Sequence, residues 1–451
     1  MTSVLNRLLQ LSGSKLKFSL LFYLMVILTS SCGIFKKTQK TEDEVIILQP
    51  NKSDSTVTDN KDIKDSIPVV ENETKAETIK TKKSWEKKNS YNVAIILPFG
   101  MDAIELATLM SEEKLLGYQP LASIEFYEGA LMALDSLKSL DISLNIFTYD
   151  DAKDDSVTTA LFQQPEMKTM DIMIGPIFNQ SLKIAAEFAK ENEIFLISPL
   201  SPAQNITKEN RYYITANATL KTQLQKTIEY FYQSDADANV IVVYRNDKLP
   251  EAKVGSEFVN FFKNDSTLKS KKLKEVTSAS GITGNISSGV KNYIFIASTD
   301  ELFVNGLVRD ISKMSRGSEN INIVGMPGMM EFESVSIDYY ESLNFHYPTA
   351  YWVDANAPRT ERFVKAFESK YKSYPSDYAF RGYDLTFYFG QMLKMFGPDI
   401  ASNLDKNVFI KSPLYRFQFT PSMDENNKVK YYENENIVIL KYDNYRFEKV
   451  N

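Results

Sequence analysis

Cys32 is the only cysteine of the 451-residue chain, and it follows Ser30 and Ser31 at the end of an apolar run. With no second cysteine its thiol has no disulfide partner. Two other groups of residues have types that could do chemistry. Asp150, Asp151, Asp154 and Asp155 have the composition of a cation site, yet they lack the glycine and the spaced glutamate of a calcium loop. A solvated loop at a strand end accounts for the same four residues. His346, the sole histidine, lies between Phe345 and Tyr347 with no second His or Cys to share a metal or build a proton relay. It reads as a structural residue at a lobe junction. No phosphate-cradling glycine loop, nucleophile elbow or zinc helix is present. The residues therefore point to a non-catalytic protein with no cofactor and no metal.

The surroundings of Cys32 have the three parts of a secretory leader: basic Lys15 and Lys17, an apolar stretch from Phe18 to Leu28, and small Thr29, Ser30 and Ser31. The apolar stretch falls short of the about 20 residues that a membrane span needs. The arrangement resembles the lipobox of bacterial lipoproteins. That resemblance implies that residues 1–31 are a signal peptide, that Cys32 is lipidated, and that acyl chains anchor the protein to a membrane, stably when more than one is attached. Gly33 stands where, in the enteric sorting rule, an aspartate retains a lipoprotein in the inner membrane, which implies the outer membrane here. The first acidic cluster, Glu42 to Glu44, comes late after the cysteine, and this favours the periplasmic face over export to the cell surface.

Between Gly33 and Ser90 there are twelve lysines against eleven acidic residues, and Phe35 and Trp85 are the only aromatic residues. Such a composition cannot bury enough apolar surface to offset chain ordering, so 32–90 is expected to be a disordered tether with a root-mean-square span of roughly 40 to 50 Å. The remaining residues exceed one ordinary core and call for two lobes. A net charge of -6, with no basic cluster, argues against a nucleic-acid partner.

After Tyr91 short apolar runs alternate with helical periodicity. Val93–Leu97 is a continuous apolar run of buried-strand character, ended by Pro98. Ile124, Tyr127, Leu131, Leu134 and Leu137 then recur at helical steps. Leu144–Tyr149, Asp171–Ile174 and Ile194–Ile197 read as further strands, with a helix marked by Leu182, Ala185, Phe188 and Ala189. This alternation predicts a mostly parallel α/β sheet with right-handed crossovers. Ligands of such sheets bind beyond the carboxyl ends of the strands. The residues placed there are Phe99, Asp151, the loop Phe178, Asn179, Gln180 and Ser181, and Ser198 with Ser201. Val240–Tyr244, Tyr293–Ala297 and Ile321–Gly325 read as strands of a second lobe.

Ala94–Phe99, Phe126–Ala130, Ile174-Gly175-Pro176, Ile197-Ser198-Pro199, and the late block with Phe363, Phe367, Tyr371, Tyr374-Pro375, Tyr378-Ala379 and Gly382-Tyr383-Asp384 stand in the order of the type I periplasmic-binding fold. The chain resembles the branched-chain amino-acid binding proteins and their receptor relatives. The resemblance implies a two-lobed α/β fold in which each lobe is a doubly wound, mostly parallel sheet. Lobe 1 would comprise 91–217 and 348–400, and lobe 2 would comprise 218–347 and 401–451, with Tyr415–Phe419 and Asn436–Leu440 as a terminal hairpin on lobe 2. It also implies a hinge that closes on a ligand and, near Glu331, the acidic residue that receives an ammonium. Two positions depart from the family. Pro202 stands where a threonine is usual and offers neither a hydroxyl nor an N–H, and Leu200 replaces a usual glycine. These departures remove contacts that an α-amino acid would need.

Two functions follow as expectations. In one, the cleft binds a small polar ligand and passes it to a transporter or receptor. In the other, a tethered outer-membrane lipoprotein resembles the activator of a penicillin-binding protein and works through a cell-envelope protein partner in peptidoglycan synthesis. The outer-membrane anchor makes contact with an inner-membrane permease hard. The activator family, for its part, carries a helical repeat domain that this chain replaces with a linker.

Overall fold

The computed structural model describes residues 87–100, 120–235, 237–247, 251–264, 273–315, 320–404 and 409–451. Cys32, the expected leader and most of the expected tether lie outside them. The chain forms two seven-stranded sheets. In the first, β1 (Tyr91–Leu97) pairs in parallel with β2 (Leu144–Asp150) on one side and β3 (Ile172–Ile174) on the other. β4 (Phe195–Ser198) and β5 (Tyr213–Thr215) follow in parallel. The second sheet has a parallel core of β6 (Asn239–Val243), β7 (Leu273–Val276), β8 (Asn292–Ile296) and β9 (Ile321–Val324), extended by β10 (His346–Thr349). The two-lobed, mostly parallel α/β fold is thus as the sequence pattern and the resemblance implied.

Alternation along β1 shows why its apolar run is continuous. Val93, Ile95 and Leu97 enter one core while Ala94 and Ile96 enter another, because successive side chains of a strand point to opposite faces. On the first face lie α1 (Pro120–Lys138), α9 (Pro358–Tyr371) and α10 (Asp377–Phe396). On the second lie α2 (Asp155–Phe162) and α3 (Asn179–Asn192). The second lobe packs α4 (Leu220–Ser234), α5 (Glu251–Asn264), α6 (Ala279–Thr283), α7 (Glu301–Met314) and α8 (Ile337–Ser342) around its own core. β5, β7 and β10 are strands that the sequence pattern did not mark. They are only three or four residues long, too short to show a period.

From Gly382 to Leu393 every residue of α10 is buried, the condition of a helix enclosed on all sides. It runs alongside α1 in the same direction, since Gly382 meets Phe126 and Gly390 meets Leu137. The approach is closest where a Cβ on Gly129 would collide with the Ala379 carbonyl oxygen, and one on Gly382 with the Phe126 carbonyl oxygen. Only glycine permits backbones to approach so closely.

The expected terminal hairpin between Tyr415–Phe419 and Asn436–Leu440 does not form. Instead β11 (Phe419–Met423) pairs antiparallel with β12 (Val429–Asn434), and β12 joins β5 in the first sheet. β13 (Val438–Asp443) and β14 (Arg446–Lys449) extend the second sheet from β10. Residues 409–434 therefore belong with the first lobe rather than the second. The physical reason is local. Asp424 accepts the N–H groups of Asn426 and Lys428 at 2.8 and 2.7 Å, closing a short turn, and a short loop costs less entropy than a long one.

The chain crosses between the lobes three times, from β5 to α4, from β10 to α9 and from β12 to β13. The side chain of Asn434, fully buried, ties the three together. Its amide donates to the Ala216 carbonyl at 3.2 Å, the Ala350 carbonyl at 3.1 Å and the Tyr415 hydroxyl at 3.2 Å. Its oxygen accepts from the N–H groups of Gln418 and Asn436.

Two substitutions test these features. Asn434→Ala leaves several buried polar groups without partners and is expected to cost about 2–4 kcal/mol, read as a lowered denaturant midpoint. Gly382→Ala forces α10 away from α1 and is expected to cost about 3 kcal/mol or to prevent folding, whereas Gly306→Ala, where an added Cβ meets nothing within 4 Å, should leave the midpoint within about 1 kcal/mol.

Candidate functional site

The carboxyl ends of β1 to β4 carry the loops that the sequence placed at a ligand. Phe99, only 4% exposed, packs edge-on against Tyr127 at 6.0 Å, and its N–H donates to Asp150 Oδ1 at 2.9 Å. Asp151 is completely buried. Burial raises its pKa against the opposing hydrogen bond from Ser181, and its Oδ2 has no hydrogen-bond partner among the described residues. Ser181 is buried beside it on the first turn of α3 and also receives a hydrogen bond from Thr158. Phe178 caps α3 with its ring 4.2 Å from the Lys153 ammonium. Asn179 and Gln180 are exposed. Ser198 is fully buried.

These residues form two groups. Asn179 accepts the Ser201 hydroxyl at 2.5 Å, which joins the loops after β3 and β4. Asp151 and Ser181 join the loops after β2 and β3. The Ser201 hydroxyl also accepts the Ala203 N–H at 3.2 Å, so it is engaged on both sides. Gly175, at the end of β3, has φ 90°, and a Cβ there would strike the Ile96 carbonyl oxygen. Hence a glycine is required for β3 to leave the sheet beside β1.

Two of the four aspartates at the end of β2 hold backbone. Asp150 accepts the N–H groups of Phe99 and Ala152, and Asp154 caps α2 through those of Ser156 and Val157. Among the described residues no three His, Cys, Asp or Glu side chains converge.

Glu331 stands apart, exposed in the 3-10 turn Met329–Glu331 of the second lobe. The other polar groups at that lobe's strand ends satisfy one another. Arg245 pairs with Asp247 at 3.0 Å and Asp300 at 2.9 Å, and buried Glu251 accepts the Thr299 hydroxyl at 2.6 Å. Met326 and Met329 are core residues.

At the second crossing lies a cluster that the sequence pattern did not single out as a site. Tyr351, on the second crossing, donates to Asp384 Oδ2 at 2.9 Å. Asp384 also accepts the N–H groups of Leu414 and Tyr415 at 2.7 and 2.8 Å. Burial, opposed by these donors, pushes Asp384 up to about 7. The guanidinium of Arg381 lies 4.3 Å from the centroid of the Tyr351 ring. One signal was available in the sequence: an arginine directly before Gly382-Tyr383-Asp384, within a run otherwise aromatic and aliphatic. A separate cavity of about 630 Å³ opens between Gln204 and Lys221, Gln225, Glu257 and Asn260. None of the ligand residues expected from the sequence lines it.

His346 is buried on β10, edge-on to Phe231 at 5.2 Å, with Nδ1 2.7 Å from the Asn344 carbonyl. Burial lowers its pKa to about 4, so the ring is neutral at pH 7.

A family model described as periplasmic binding protein matches residues 118–406. Among solved structures, a putative branched-chain amino acid ABC transporter from Rhodospirillum rubrum is 14% identical, with 80% of this chain and 100% of that one covered and a TM-score of 0.58. A branched chain amino acid ABC transporter periplasmic ligand-binding protein from Burkholderia xenovorans LB400 is 10% identical over 80% and 94%, with a TM-score of 0.56. An ABC transporter substrate-binding protein from Desulfitobacterium hafniense, in complex with Leu, is 16% identical over 80% and 100%, with a TM-score of 0.50. At these identities the likeness is one of fold. No curated protein matches the sequence.

Asp384 and His346 should give stability opposite dependences on pH. The folded chain keeps the Asp384 proton to about pH 7, while an unfolded aspartate loses it near 3.9. This contribution therefore falls as pH rises between those values, by roughly 4 kcal/mol at most. His346 binds its proton near pH 4 in the folded chain and near 6.5 when unfolded. Its contribution is complete above about 6.5 and is lost as pH falls toward 4. Chemical denaturation from pH 4 to 7 should show a shallow profile for the parent chain, stability rising with pH in Asp384→Asn and falling with pH in His346→Gln. Parallel profiles for all three would refute the assignment.

Proposed function

The chain belongs to the periplasmic binding protein family, and on that premise we propose that it is a non-catalytic, lipid-anchored envelope protein that binds a small polar ligand between its lobes. The observation that carries this reading is the hinge. Three crossings gathered on one buried asparagine leave two lobes whose strand ends flank a cleft, an arrangement suited to closure around a ligand. The first lobe is assigned 91–217, 348–400 and the β11–β12 hairpin. Phe99, Asn179 and Gln180 on that lobe and Glu331 on the other are assigned to ligand contact, with Asp151, Ser181, Ser198 and Ser201 shaping the loops.

The relatives above are named for branched-chain amino acids, and one carries Leu. An α-amino acid is a poor fit for this cleft. The Ser201 hydroxyl is taken up by Asn179 and Ala203, Pro202 has no N–H, and Arg245 and Glu251 are already partnered. Cys32 is assigned as the lipidation site, with anchoring to the periplasmic face of the outer membrane.

The alternative is a scaffold or activator of peptidoglycan synthesis that works through its surface. The internally satisfied strand ends of the second lobe favour this second reading, because they offer little to a solute.

A ligand selective for the folded chain at 100 times its dissociation constant should add about 2.7 kcal/mol and raise the melting temperature by several degrees. A flat response to amino acids, sugars, organic acids and muropeptides, together with a specific crosslinked protein partner in cells, would shift the assignment to the scaffold. Cys32→Ser should abolish radiolabelled palmitate incorporation and release the protein from the membrane fraction. Retained labelling would refute lipidation at this residue.

A further inference from the structure

Arg381 differs from the other part-buried arginines in what it touches. Arg245 has two carboxylates, and Arg359 donates to the carbonyls of Ser412 and Pro413 at 2.8 and 2.6 Å. Arg381 has the face of Tyr351 and, among the described residues, no hydrogen bond or ion pair. Burial holds its pKa below the usual arginine value, although the Asp377 carboxylate one turn earlier acts in the other direction.

Its location is the junction of the lobes. α10 and α1 run in the same direction, so the first turns of α10 lie beside the start of α1, which follows the loop after β1. Tyr351 belongs to the crossing after β10. Asp377, one turn before Arg381, and Glu331 of the second lobe both act on Tyr347, and Tyr347 packs against both cores.

We propose that Arg381 binds the carboxylate of the cleft ligand, so that the solute is a small monoanionic organic acid rather than a zwitterionic amino acid or a neutral sugar. This rests on the cleft reading above and names its substrate class. A guanidinium presents a planar fork of N–H donors that fits a carboxylate. Tyr351 fixes one face of the fork and leaves its edge free to donate. The carboxylate of Asp377, one turn from Arg381, disfavours a dianion such as phosphate, while the aromatic rings of Tyr347 and Tyr351 suit a carbon skeleton.

The test is thermal melting of the full chain in detergent with millimolar benzoate, acetate, phosphate, leucine or glucose at matched ionic strength, for the parent, Arg381→Gln and Arg381→Lys. The proposal expects benzoate or acetate to raise the melting temperature of the parent. It expects affinity to fall by roughly 10- to 100-fold in Arg381→Gln, the loss of a charge-assisted hydrogen bond, with partial retention in Arg381→Lys. Without ligand, Arg381→Gln should melt at or near the parent temperature, since it breaks no hydrogen bond or ion pair among the described residues. Loss of folding in Arg381→Gln would mark a structural cation and overturn the assignment. A response to leucine, glucose or phosphate alone, or one unchanged in Arg381→Gln, would overturn the organic-acid assignment and leave the cleft reading standing. Silence with every probe would overturn the organic-acid assignment, and the cleft reading would fall only if a specific crosslinked protein partner were recovered as well.

Discussion

The hydrogen bonds of the Asn434 side chain are the constraint on which the two-lobed arrangement depends. Each crossing segment leaves regular structure between sheets and so has backbone groups without a ladder partner, a cost that must be met somewhere. One amide, with two donors and an acceptor, meets it for Ala216, Ala350, Gln418 and Asn436 together. Glu433 adds a contact from its carboxylate to the Thr219 N–H at 2.6 Å. The last crossing thereby fixes the first two, although it is the last to be made along the chain.

The paired helices α1 and α10 play the corresponding part within the first lobe. Their contact through Gly129 and Gly382 brings the backbones together, and the enclosed α10 carries Tyr388, Phe389 and Phe387 into the core. This packing sets the positions of Arg381 and Asp384, which stand about one helical turn apart and both meet Tyr351 of the second crossing. Site and core are therefore one construction here. A change that moves α10 moves the cluster at the second crossing as well.

Polar groups at the strand ends divide sharply by how they are satisfied. The carboxylates of Asp150, Asp154, Asp300 and Glu251 turn inward to cap helices or hold loops, which rigidifies the rims of the cleft. Asp151 Oδ2 and Ser198 Oγ are buried without hydrogen-bond partners among the described residues, and Arg381 meets the aromatic face of Tyr351.

The sequence by itself determined the lobes and most of their strands. The runs Val93–Leu97, Val240–Tyr244 and Tyr293–Ala297 are apolar at every position because both faces of a parallel strand are covered, and such patterns are local. It also marked the strand-end loops, because topology alone sends them to one edge of the sheet. Only the tertiary structure decided that Ser201 is spent on Asn179, that Asp151 is buried, that β11 and β12 return to the first sheet, and that Arg381 meets Tyr351. Each of these is a pairing between residues distant in sequence, or a competition for one hydrogen bond. No periodicity records which partner prevails, because the outcome depends on the geometry that folding brings about.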